Sequence, residues 1–104
     1  MEKRINIITN NLKARIIEKY AISEMKLFGS TVRGDRRKDS DIDVFVILPR
    51  IDRNIEEDLF DIAYDLELEY DCLIDLIIFG EENLAAGVAK TPFYQTVLSE
   101  GLAV

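Results

Sequence analysis

The chain has 104 residues, 48% of them hydrophobic and 32% charged, the composition of one globular domain; disordered, collagen-like and coiled-coil chains are excluded. Twenty Asp and Glu against thirteen Lys and Arg leave a formal charge of -7, the wrong sign for gripping DNA or RNA through the overall field. A small anion stays open, because a divalent metal and a local basic cluster reverse the sign within one cleft. With no histidine and only one cysteine, Cys72, the chain has no internal disulfide, Cys/His zinc site or His-dependent triad, so catalysis would fall to carboxylates, hydroxyls or a metal. No window approaches the roughly 20 apolar residues of a membrane span, and a cytoplasmic protein is expected.

Taken in chain order, Ile5, Ile8, Leu12, Ile16 and Tyr20 recur at steps of three and four, which predicts an amphipathic helix over about residues 3 to 19. Met25 to Phe28 reads as a short strand stopped by Gly29, followed by a polar loop from Ser30 to Ser40. Asp41 to Leu48 is rich in β-branched residues and ends at Pro49, a second strand. Asn54 with Glu57 forms a candidate capping box, and Ile55, Leu59, Ile62, Ala63 and Leu66 carry helical spacing to about Tyr70. Cys72 to Phe79, nearly all apolar and ending at Gly80, is expected to be a strand buried on both faces. Thr91-Pro92 starts a last helix over residues 92 to 100, with Gly101 where a left-handed cap would fall. The order α-β-loop-β-α-β-α is that of a single α/β domain over residues 1 to 104.

Asp75 interrupts the apolar run of the third strand. Buried without a partner it would cost several kcal/mol, so it needs a cation, a proton or an opening to solvent. Strand alternation puts Asp41 and Asp43 on one face with carboxylates roughly 6 to 7 Å apart. If Asp75 lies on the adjacent strand facing the same way, three carboxylates converge, and magnesium suits an all-oxygen site completed by water and phosphates. The plainer readings are a solvated Asp41 beside Asp39, and an Asp75 paired with a Lys or Arg or placed on an edge strand.

Gly29-Ser30 directly follows the first strand, where glycine lets backbone approach a phosphate and serine adds a hydroxyl; alone, the pair is more often a turn. The cluster Arg33, Arg36, Arg37 and Lys38 is interleaved with Asp35 and Asp39 and reads first as a solvated loop. Tyr64, Tyr70 and Tyr94 read as core residues before acceptors for self-modification.

Gly29-Ser30-Thr31-Val32-Arg33-Gly34 followed by Asp39-Ser40-Asp41-Ile42-Asp43 resembles the signature of the minimal nucleotidyltransferases of the DNA polymerase β-like superfamily, with Asp75 at the third carboxylate. The segment from Thr91 to Gly101 resembles the tail of its antitoxin members. The resemblance implies a nucleotidyltransferase fold, a small mixed sheet of about three strands flanked by helices (α+β). It implies that Asp41, Asp43 and Asp75 form the catalytic metal site, with Asp41 and Asp43 holding magnesium, most simply two ions, and Asp75 taking the acceptor proton. Gly29 and Ser30 would contact the triphosphate of ATP, and Arg33 would touch phosphate or hold the loop. The implied activity is transfer of AMP onto a tyrosine of a HEPN-domain toxin, a ribonuclease, in a hetero-oligomer with this chain as antitoxin. The alternatives are an antitoxin that only binds and occludes its partner, and a nucleotidyltransferase acting on a small molecule.

Overall fold

In the computed structural model, residues 3–29, 31 and 41–104 are described. Ser30 and Arg33, with the basic cluster to Lys38, lie outside the described residues.

Helix α1 (Lys3–Ile17) buries the predicted stripe Ile5, Ile8, Leu12 and Ile16. Thr9, also buried, returns its hydroxyl to the Ile5 carbonyl at 2.8 Å, which satisfies its only polar group. Strands β1 (Glu24–Leu27) and β2 (Ile42–Leu48) pair antiparallel. Helix α2 (Arg53–Tyr70) starts at Asp52, whose carboxylate accepts from the Ile55 N–H at 2.9 Å. The cap is therefore Asp52 and not Asn54, which already lies in the first turn. At the other end Asp71, with φ 50, turns the chain left-handed and donates its N–H to the Glu67 carbonyl.

Strand β3 (Ile74–Gly80) pairs parallel with β2 in a seven-residue register from Ile42↔Ile74 to Leu48↔Gly80. A five-residue helix α3 (Glu81–Ala85) and a 3₁₀ turn (Val88–Lys90) lead to α4 (Pro92–Glu100), capped by Thr91 as its sequence predicts. Gly101 is extended, with φ -69, rather than left-handed. Its small size is required for another reason, since a Cβ there would meet the Val97 carbonyl at 2.4 Å. The chain then adds strand β4 (Leu102–Ala103), which pairs antiparallel with β1. Among the described residues the mixed sheet thus has four strands, in the order β3-β2-β1-β4, one more than expected. That order makes β3 an edge strand. It is half-buried rather than covered on both faces, and Asp75 is exposed.

One sheet face, with Met25, Leu27, Ile42, Val44, Val46 and Leu48, packs against α1 and α2 as an aliphatic core. The other, with Phe45 and Ile47, packs against Val97 and a set of half-buried aromatics. Helices α1 and α2 are also clamped at their rims. Tyr20 donates its hydroxyl to Asp58 at 2.7 Å and Lys19 reaches the same carboxylate at 3.2 Å. The bond from Tyr20, then that from Lys19, holds the Asp58 carboxyl below the usual carboxylate range, and the bond to Asp58 pushes the Tyr20 phenol above its ordinary value.

Candidate active site

Alternation along β2 places Asp43 on the same face as Phe45 and Ile47, and along β3 it places Asp75 with Ile77 and Phe79. The register pairs Asp43 directly with Asp75. Neighbouring strands run about 4.8 Å apart, so two acids 32 positions apart in sequence stand side by side at the start of both strands. Asp41 lies just before β2, two residues from Asp43, and is exposed; the strand expected to begin at Asp41 begins at Ile42, so alternation does not fix its face. Asp43 is half-buried and Asp75 open to water. The third acid thus meets its solvation requirement by its edge position.

The segment after β1 is fastened to the start of β2. The Phe28 N–H donates to the Asp43 carbonyl at 3.2 Å, and the Asp43 N–H donates to the Thr31 hydroxyl at 2.9 Å. Gly29, with φ +64, occupies the left-handed region, and a Cβ there would lie 2.6 Å from Asp43 Oδ2. Glycine is therefore required twice, for its backbone conformation and for the carboxylate pressed against it. Thr31 is buried and supplies a bond that the Gly-Ser motif alone did not predict; its hydroxyl between Gly-Ser and a strand beginning Asp-x-Asp was the available signal.

Beside the acids lies an apolar floor. Phe45 packs against Phe79, Phe93 and Tyr94 with ring centroids 5.7, 6.1 and 5.9 Å away, and Phe93 meets Phe28 edge-on at 5.6 Å. Such a wall lowers the local dielectric and strengthens any charge interaction formed against it. Of the three tyrosines expected in the core, Tyr94 joins this cluster and Tyr70 accepts a hydrogen bond from Asn11 at 3.0 Å. Tyr64 stands in solvent instead. A cavity of about 740 Å³ opens at the opposite end of β1, lined by Tyr20, Ser23, Met25 and Val104, away from the acids.

The donors are hard carboxylate oxygens, as a magnesium ion requires. The missing side chain at Gly29 leaves room for the Asp43 carboxylate against the backbone. Among the described residues no three Asp, Glu, His or Cys side chains come together as a metal-holding group; the structure sets Asp43 beside Asp75 and does not bring Asp41 into a closed trio with them. No helix among the described residues is long and apolar enough to cross a membrane.

Residues 9–101 match the family model of the nucleotidyltransferase domain. The chain is 32% identical over 101 residues to a Methanocaldococcus jannaschii protein assigned as a protein adenylyltransferase, covering 96% of this chain and 93% of that one. It is 29% identical over 97 residues to the protein adenylyltransferase MntA of Thermococcus cleftensis, covering 93% of each. A solved toxin-antitoxin structure of MntA with HpeT superposes with a TM-score of 0.62 at 26% identity, over 95% of this chain and 69% of that chain.

Proposed function

Because the chain belongs to the nucleotidyltransferase domain family, we propose that it is a magnesium-dependent protein adenylyltransferase that moves AMP from ATP onto a tyrosine of a HEPN-domain toxin in the cytoplasm, silencing it as its antitoxin. The observation that carries this reading is the in-register pair Asp43 and Asp75, set against a glycine whose missing side chain leaves room for the Asp43 carboxylate. The relatives named as protein adenylyltransferases and the likeness to a toxin-antitoxin structure support the acceptor being a protein.

Asp41, Asp43 and Asp75 would hold magnesium, which when bound neutralises phosphate charge and aligns the reacting oxygens. Gly29 offers backbone to the triphosphate, and Ser30 and Arg33 are proposed to contact it as well. The tyrosine oxygen forms a bond to the α-phosphorus as the bond to the β-phosphate oxygen breaks and pyrophosphate leaves. The phenol proton passes to a carboxylate oxygen of Asp75, which its exposure leaves open to the acceptor. The aromatic floor excludes water from one side of the reacting groups.

The test is the intact mass of the HEPN-domain protein encoded beside this chain after incubation with the chain, ATP and magnesium. Adenylyl units gained with the native protein and lost with Asp43→Asn are the expected result. A stable complex with no mass gain would overturn transfer and favour occlusion.

A further inference from the structure

Helix α2 holds seven acids, Glu56, Glu57, Asp58, Asp61, Asp65, Glu67 and Glu69, against the single base Arg53. That is nearly the whole excess of the chain's charge of -7. Four of the seven have internal work. Asp58 meets Lys19, Glu69 meets Arg15, Glu57 meets Arg53, and Glu67 accepts the Ile74 N–H. Asp61 and Asp65 are exposed and have no ion-pair partner among the described residues. Beside these acids runs a row at steps of four on the same helix, Phe60, Tyr64 and Leu68, with 50%, 57% and 66% of their surface in water. An amphipathic helix that already buries Leu59, Ala63 and Leu66 in the core has no folding reason to carry a second apolar row outward. The row descends towards the end of α2, after which the chain reaches Leu73, 56% exposed, and then Asp75.

From this face we infer a docking surface for a basic partner protein, one that seats Phe60, Tyr64 and Leu68 in an apolar groove rimmed by Lys and Arg facing Asp61 and Asp65. Charge complementarity selects the occupant: a second copy of this chain would bring an equal acidic helix against this one, whereas a basic protein meets it with the opposite charge. The inference rests on the proposed function only for the choice of the HEPN-domain protein as that partner. Partly buried aromatic anchors ringed by charge are the usual carriers of binding energy, with the charges setting the rate and salt dependence of association.

The experiment titrates the HEPN-domain protein encoded beside this chain against the native chain, Tyr64→Ala/Leu68→Ala, and Asp61→Lys/Asp65→Lys, by calorimetry at low and high salt. Adenylyl transfer from ATP is followed in parallel and thermal unfolding confirms each fold. The substituted side chains are exposed, so unfolding temperatures are expected to stay near native. Expected are at least a tenfold loss of affinity for the apolar variant at both salt concentrations, and a loss for the charge variant that shrinks as salt rises. Native binding with unchanged affinity in both variants overturns the surface while leaving transfer intact. Variant-sensitive binding without any transfer upholds the surface and overturns the proposed activity alone. No binding by the native chain, or self-association abolished by the same substitutions, overturns the surface as a partner site.

Discussion

The two faces of the sheet divide the molecule's work. Towards α1 and α2 lies an aliphatic core in which Ile8, Leu12, Ile16, Ile42, Val44, Val46, Leu59 and Leu66 are fully enclosed. Towards α4, among the described residues, the buried cluster is Phe45, Ile47 and Val97, and the surrounding aromatics are half-open. Asp43 and Asp75 sit on the second face. A chain of this size has little apolar surface to spare, and this one concentrates its packing on the side away from Asp43 and Asp75. The other side can then hold two acids side by side and a left-handed glycine.

The division can be broken from either side. Asp43→Asn is expected to lower adenylyl transfer by at least ~10³-fold, equivalent to about 4 kcal/mol of transition-state stabilisation. Transfer at the native rate would refute the metal assignment. On the opposite face, Leu66→Ala should cost about 2–5 kcal/mol in urea unfolding through its cavity, with the rate per folded molecule unchanged. A rate that falls in step with stability would show that the faces are not independent. Gly29→Ala should lose about 1–2 kcal/mol from its left-handed backbone and lose transfer as well, since its methyl group displaces the Asp43 carboxylate. Thr31→Val leaves the Asp43 N–H without its acceptor, a loss of about 1–3 kcal/mol measured by the same unfolding curves.

The smallest effect belongs to the α1–α2 clamp. The Asp58 carboxyl is lowered in the folded state, so its contribution is present above the ordinary carboxylate value and is lost as pH falls through the lower folded one. The Tyr20 phenol is raised, so its contribution is complete below the ordinary phenol value and is lost as pH rises through the higher folded one. Tyr20→Phe should therefore flatten the stability profile at both its acid and alkaline ends. A profile unchanged at either end would count against the bond.

The aliphatic face was the legible one. The stripe Ile5, Ile8, Leu12 and Ile16 and the spacing of Leu59, Ala63 and Leu66 announce helices because their period is local. The face of Asp43 was legible too, through alternation along β2, whereas Asp41 falls just before the strand. What escaped is non-local. The run from Cys72 to Phe79 is as apolar as a central strand, and only the sheet order, with β4 added beside β1 rather than beside β3, leaves it at an edge among the described residues. Two residues, Leu102 and Ala103, are too few to carry a strand pattern. Thr31 reads only as part of the polar loop from Ser30 to Ser40, because the donor it serves lies 12 residues on.

The parallel pairing of β2 with β3 has a consequence for how the chain finds its fold. A slip of one residue would turn the whole of β3 over. Asp75 would then point into the aliphatic layer, where an unpaired carboxylate costs several kcal/mol, and Ile74 and Leu76 would leave it. The acid assigned to chemistry therefore also acts as a proofreader of assembly, penalising the misaligned sheet before any substrate is present.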